Sequence, residues 1–327
     1  MPKNHKEVSK KEKIRHGTRL FNTIKEYLWW DDVIALLLMA LGVLFHWANI
    51  PENPSLKWQQ IYHDTYADMI GIGITVIILG NFDQYLRVKS EKKSLILQMG
   101  SPNQEFAIEA VRQLNQKGWL VDGTTRHANL SEANLEMAIL FCANLEGANL
   151  PLANLKDAYL VNANLKEADL SFASLKDANL SDANLEGAEL SEAHLEGANL
   201  ESANLKKANL TAANLEMAYL FAANLEIAKL FAANLKEANL TVANLEGANL
   251  FAANLKEADL SFTSLKDANL SDANLEGANL KGADLHDATY NDQTIWPAGF
   301  NPEEAGAKLK KPSEENTPKS RIKIIKV

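Results

Sequence analysis

From Leu130 to Leu285 every fifth residue is leucine, thirty-two times in succession, and the residue two places earlier is alanine each time except at Thr263. A five-residue period fits neither regular element. On an α-helix, steps of about 100° per residue would scatter the leucines over every face. On a flat strand, an odd period would send successive leucines to opposite sides. One leucine stripe can be buried only if each pentad is a short extended segment followed by a bend, so that the chain coils around an axis. Alanine and leucine, two apart on the extended part, then point inward together. The pattern predicts an all-β solenoid whose interior holds Leu130, Leu145, Leu165, Leu200, Leu250, Leu285 and their equivalents. The residue between alanine and leucine is Asn at 21 of the 32 positions. Asparagine suits bends because its side chain bonds nearby backbone, so these residues are read as structural.

The tandem unit, as in Ala143-Asn144-Leu145-Glu146-Gly147, resembles that of the pentapeptide-repeat family, and the resemblance covers about half the chain. It implies a right-handed quadrilateral β-helix with four pentads per coil, hence eight coils rising about 4.8 Å each, or roughly 38 Å in all. No single coil would stand alone. The residue after leucine is charged in nearly every second pentad. Four pentads per coil would stack these charges in ladders such as Glu136, Lys156, Lys176, Glu196, Glu216, Lys236, Lys256 and Glu276. Opposite signs often fall next to one another, which favours stacking and solubility. Outward apolar residues gather in the second half at Met217, Tyr219, Phe221, Ile227, Phe231 and Phe251. They form the candidate interaction surface, with Phe221 expected on one face and Phe231 and Phe251 on the opposite one. Residues 168–187 and 258–277 are identical except for Ala173 against Thr263. Their ninety-residue offset is four and a half coils, which places the copies on opposite walls and argues against a single oriented site.

Solenoid ends need caps. Upstream, Ser101, Pro102 and Gln104 read as a capping box with proline at the first helical position, and Phe106, Ala110, Val111 and Leu114 recur at helical spacing. Gly118 stops that helix, and Trp119 and Leu120 are expected to cover the first coil. Downstream, Tyr290, Ile295, Trp296, Pro297 and Phe300 replace the repeat with bulky groups that plug the last coil. The polar chain after Asn301 reads as disordered.

The first hundred residues are different material. Val33 to Ile50 contains no Asp, Glu, Lys or Arg and is flanked by Trp29, Trp30 and Trp47, the pattern of a transmembrane helix with interfacial aromatics. Ala67 to Leu86 reads as a second span with Asp68 and Asp83 near its ends. The expected organisation is a basic cytoplasmic segment over 1–30, a two-helix transmembrane hairpin over 31–87 with spans of about 33–50 and 67–86, a linker and short capping helix over 88–127, the β-helix over 128–290, and a cap and tail over 291–327. Residues 1–30 hold eight Lys and Arg, and Arg87, Lys89, Lys92 and Lys93 follow the second span. The positive-inside bias places both termini and the repeat in the cytoplasm of a multi-pass protein of a bacterial inner or thylakoid membrane. The stretch from Gln98 to Gly123 resembles the leader of membrane-associated, cyanobacterial-type members of the same family. The basic flanks add a possible contact with anionic lipid.

Chemistry-bearing constellations are sparse. His5, His16, His46, His63, His127, His194 and His286 show no metal-ligand spacing, and Cys142 is the single cysteine. There is no glycine-rich phosphate loop or nucleophile elbow. No catalytic, cofactor-binding or metal residue is assigned, and no enzyme activity is expected. The expected function is a membrane-tethered scaffold whose prism holds a protein partner, with a role in membrane or envelope organisation by resemblance. The alternative follows from family members that resemble duplex DNA and bind DNA gyrase. Residues 128–287 carry 24 acidic and 10 basic side chains, a net charge of −14 of suitable sign, although lysines interrupt the acidic ladders. Direct nucleic-acid binding is disfavoured by a whole-chain charge of −9.

Overall fold

The computed structural model describes residues 56–310, which fall into two compact units divided between Glu91 and Lys92. The described part of the first unit is one helix. This helix, α1 (Leu56–Met99), has 44 residues and a length of about 66 Å at 1.5 Å per residue. Its apolar residues form no single stripe. Ile72, Ile74, Ile78, Leu79 and Phe82 are all exposed. The polar side chains within the apolar stretch turn back on the helix, Thr75 Oγ1 donating to Gly71 O at 2.8 Å and Asn81 Nδ2 to Ile77 O at 2.9 Å. Each bonds the carbonyl one turn earlier, which satisfies a polar group without water.

Two expectations change here. The span expected over residues 33–50 lies outside the described residues. The span expected over 67–86 is helical, but among the described residues no helix is long and apolar enough to cross a membrane. The apolar run ends at Leu79, and Asn81, Asp83 and Gln84 fall within the expected span. The expected linker after residue 88 is also absent, because α1 continues without a break to Met99.

In the second unit, the last turn of α1 buries Leu95 and Met99, and Lys92 Nζ reaches Asp122 Oδ2 at 2.7 Å. Helix α2 (Gln104–Gln116) buries Ala107, Ala110, Val111 and Leu114. Its N-cap is Asn103, whose side chain accepts from Phe106 N–H, not the expected Ser101. Ser101 Oγ instead accepts from Asn103 N–H and so shapes the turn before the cap. Phe106 points outward, contrary to expectation, because the buried stripe begins at Ala107. Gly118, with φ 70°, ends the helix.

The repeat then winds as a four-sided prism. Bridges join each residue before a leucine to its counterpart twenty residues on, in parallel, from Asn129↔Asn149 to Asn269↔Thr289. Each coil therefore takes four pentads, as expected, and the thirty-two pentads make eight coils. Within each rung a leucine N–H donates to the residue nineteen ahead, as Leu145 to Asn164 O at 2.8 Å, and the alanine carbonyl accepts from one coil on, as Ala143 O from Asn164 N–H at 2.9 Å. The expected core holds. Leu130, Leu145, Leu165, Leu200, Leu250 and Leu285 are fully buried, and alanine beside leucine leaves room for the facing walls to meet. Thr263, the one exception in the alanine column, is buried and donates to Leu240 O at 2.7 Å.

Both ends are closed as the sequence suggests, by different means. Ser101 O and Leu120 O accept from Asn134 and Asn144 N–H of the first coil. At the far end β1 (Thr289–Tyr290) pairs in parallel with β2 (Lys308–Leu309), while Trp296 packs edge-on to Tyr290 and stacks on Phe300. Residues 302–310 are thus part of the cap, where a disordered tail was expected, because the backbone of β2 extends the ladder.

Candidate interaction surface

The bend of each pentad lies at the two residues after leucine, two and three places beyond the asparagines that suggested it. The second of these residues has φ between 53° and 62° wherever it is not glycine, the left-handed region. The asparagines occupy the middle of each wall and support the bend from there. Asn204 Oδ1, for example, accepts from Lys206 N–H, and its Nδ2 donates to Asn184 Oδ1 one coil back at 3.1 Å. Stacked asparagines run in this way along the walls of Leu135 and Leu145. Outward variety is therefore concentrated at the four corners of the prism.

We number the walls from the leucine that begins each, Leu130, Leu135, Leu140 and Leu145. The corners after the second and fourth walls carry the charges. One-coil ion pairs join Lys156 to Glu136 (3.5 Å), Lys236 to Glu216 (3.2 Å) and Lys256 to Glu276 (3.1 Å) on the second, and Arg126 to Glu146 (2.6 Å), Lys166 to Glu186 (3.7 Å) and Lys206 to Glu226 (2.8 Å) on the fourth. The predicted ladders thus form, but at edges and not on flat faces. Pairing raises the lysines above their ordinary range. Lys236 is raised by hydrogen bonds to Glu237 and Glu216, and Lys206 by its bond to Glu226.

The apolar residues fall mainly on the other two corners. At the corner after the third wall, Phe221 stacks on Tyr219 of that wall with ring centroids 6.2 Å apart, and Phe141 stacks likewise on Tyr159 at 6.2 Å. After the first wall, Phe231 and Phe251 lie nearly parallel at 5.6 Å. Of the six candidates, Met217 lies beside Glu216 on the charged corner after the second wall, and Ile227 beside Glu226 on the charged corner after the fourth. The six residues therefore form two aromatic pairs and two isolated side chains on the charged corners. Exposed apolar residues at the second bend position, Leu152, Phe172, Val242 and Phe262, were not among the candidates. Their signal was available in the sequence, two places after leucine, a position the charge rhythm does not occupy.

A shallow hollow of about 390 Å³ beside the first coil is lined by Gln104, Glu105, Ile108, Glu109, Glu136 and Met137. Glu109 is bound by Arg112 and Gln113, which hold its carboxyl down to about 2. A carboxylate so engaged is a poor proton shuttle near neutral pH. Among the described residues no group of three or more His, Cys, Asp or Glu could hold a metal ion.

Residues 126–157, 153–191, 188–226, 228–261 and 253–289 match the family described as Pentapeptide repeats, in eight copies. No curated protein matches this chain. Among solved structures, HetL, a pentapeptide repeat protein involved in heterocyst differentiation regulation from the cyanobacterium Nostoc sp. strain PCC 7120, is 35% identical over 52% of this chain and 86% of its own, with a TM-score of 0.37. Another pentapeptide repeat protein of the same organism is 38% identical over 33% of this chain and 84% of its own, with a TM-score of 0.28. QnrB1, a plasmid-mediated fluoroquinolone resistance protein, is 16% identical over 51% and 91%, with a TM-score of 0.27.

Proposed function

The chain belongs to the pentapeptide-repeat family, whose fold is a right-handed quadrilateral β-helix, and we propose that it is a non-enzymatic scaffold presenting the corners of that prism to a protein partner. The observation that carries this reading is the pair of ring stacks Tyr219–Phe221 and Phe231–Phe251 on diagonally opposite corners. Side chains of this kind, rigid, apolar and stacked outside a filled core, are typical contact residues. The interior is occupied by leucine and alanine along its whole length, so binding falls to the exterior.

Tethering to a membrane belongs to the same proposal. It is supported by the uncharged segment 33–50, by the exposed apolar side chains of α1 between Ile72 and Phe82, and by Thr75 and Asn81 bonding back to their own helix. In this reading both termini and the prism are cytoplasmic, as the lysine and arginine distribution indicates. A gyrase-directed mimic of duplex DNA is the weaker reading. The net charge of −14 over residues 128–287 is divided by lysines that bond glutamates one coil away, so neither ladder corner is uniformly acidic.

The test is photo-crosslinking in cells with a crosslinking amino acid placed at Phe221 or Phe231, and at Lys166 as a control on a charged corner. A discrete adduct with a second protein from the apolar positions alone is expected. Equal yields from all three positions would count against the corners. Membrane fractionation of the same cells, with an alkaline wash, reads the tether independently: recovery of the chain in the wash would remove it.

A further inference from the structure

The exterior repeats on a longer period than the coil. Residues 133–188 and 223–278 follow one pattern ninety residues apart, and within them 163–188 and 253–278 differ only at Ala173 and Thr263. At twenty residues per coil, ninety residues is half a rotation about the prism axis combined with a shift of about 22 Å. Phe141 and Val161, after the third wall, thereby correspond to Phe231 and Phe251 after the first. Leu152 and Phe172, after the first, correspond to Val242 and Phe262 after the third. Two diagonally opposite corners carry the same apolar ridge, assembled from equivalent halves.

The backbone gives this ridge weight. Leu152, Phe172, Val242 and Phe262 have φ of 60°, 59°, 61° and 57°. Bulky side chains are strained there, β-branched valine most of all. On the charged corners the same position is filled by Asp157, Asp177 and Asp267, whose type tolerates it, and by the isolated apolar residues Met137, Met217 and Ile227. The four apolar side chains are 58%, 47%, 50% and 60% exposed, so burial within the fold offsets the strain only in part.

We propose that these ridges are the contacts by which copies of this chain associate side by side. A second copy fits because it brings the same side chains at the same coil spacing of about 4.8 Å, so that two ridges interdigitate rung after rung. It fits electrostatically as well. The ladder charges lie on the other two corners, and the ridge corners carry only Glu132, Glu192 and Asp272 on one and Asp182, Glu201 and Lys281 on the other. Copies meeting along the ridges keep their acidic corners apart. The ridge spans five coil steps from Leu152 to Phe251 on one corner and six from Phe141 to Phe262 on the other, about 24 and 29 Å; at about 15 Å wide it buries on the order of 400 Å² per copy, below the bound of about 1,000 Å² in total for a stable specific interface. Association is therefore weak in dilution and grows with local concentration. Since each copy has two equivalent ridges, it continues into rows of prisms and does not stop at a dimer. The inference stands apart from the scaffold reading, since the partner here is the chain itself.

The test is sedimentation velocity of the full-length chain in mild detergent over a concentration series, for the wild type and for a variant with Leu152→Asp, Phe172→Asp, Val242→Asp and Phe262→Asp. Aspartate already occupies this bend position in other pentads, so the variant keeps the fold, which circular dichroism checks. The wild type is expected to sediment as dimers and larger species as concentration rises, and the variant as one constant species. A wild type that stays a single species overturns the proposal, and so does association that the four substitutions leave unchanged. Should the variant lose its β-structure, single Phe172→Cys and Phe262→Cys chains lacking Cys142 provide the second measurement. Intermolecular linkage by a short bis-maleimide at these positions, above that from Lys166→Cys, is expected, and linkage no higher than that control overturns the inference.

Discussion

Leucine and isoleucine have opposite fates in the two units. In the β-helix the central leucine of nearly every pentad has no accessible surface, whereas Ile72, Ile78 and Leu79 of α1 are each 60% exposed. Hydrophobicity does not separate them, since the side chains are nearly isomeric. The difference is periodicity. A five-residue repeat bent at every corner brings each leucine to a common axis, so the chain supplies its own apolar solvent. A helix with apolar residues around its whole circumference has no face to turn inward and needs an apolar environment from elsewhere. The first pattern fixes a fold; the second leaves its apolar side chains exposed among the described residues.

The sharpest break of this contrast is inside the prism. Leu200→Ala, in the middle coils, is expected to destabilise the β-helix by about 3–5 kcal/mol, because the neighbouring rungs are pinned by backbone hydrogen bonds and cannot collapse into the cavity. Chemical denaturation followed by circular dichroism measures it. The converse variant, Ile72→Ser with Ile78→Ser and Leu79→Ser, should leave the melting of the β-helix unchanged while markedly reducing the fraction of chain sedimenting with membranes. A drop in β-helix stability would show that α1 and the prism are not energetically separate. Removing wall support has a smaller effect. Asn204→Ala loses the bond to Lys206 N–H and the stacked bonds to Asn184 and Asn224, and is expected to cost about 1 kcal/mol. Thr263→Ala is smaller still. Ala173 fills the equivalent site in the duplicated segment, and the change removes a donor and leaves Leu240 O with its other lone pair's options, so a shift within about 1 kcal/mol is expected in the same assay.

The smallest effect concerns pH. The bonds from Arg112 and Gln113 lower Glu109 from 4.5 to about 2. Its ionised form is therefore favoured in the folded state, a contribution present above the unfolded value of 4.5 and lost as pH falls through about 2. Both groups are exposed, so the contribution is slight. NMR titration of the Glu109 carboxyl in wild type and in Arg112→Gln should show its midpoint rising in the variant.

Much of the prism was legible in advance, because one leucine per pentad and one alanine beside it leave a single way to bury both. The expected interior residues Leu130 and Leu285 lie in the first and last coils and are buried alike. The charge ladders were legible for the same reason, since a twenty-residue coil makes Glu216 and Lys236 neighbours. The bend was misplaced by two residues. Asparagine has the right chemistry for a turn, yet Asn204 acts from the wall, and the left-handed backbone falls on residues such as Lys207 that carry no turn signature. Leu152, Phe172, Val242 and Phe262 stand on that same position two places after leucine, and a bend placed at asparagine passed them over.

By itself the sequence determined the period, the identity of the core and the ninety-residue duplication, because each is a matter of spacing along the chain. Tertiary structure alone decided which outward residues share a corner, that the six apolar candidates divide among separate edges, and that α1 runs unbroken to Met99. Those are relations across coils and along a helix, set by where the backbone turns and by how many residues close one circuit, and such distances in space are not written in the order of the residues.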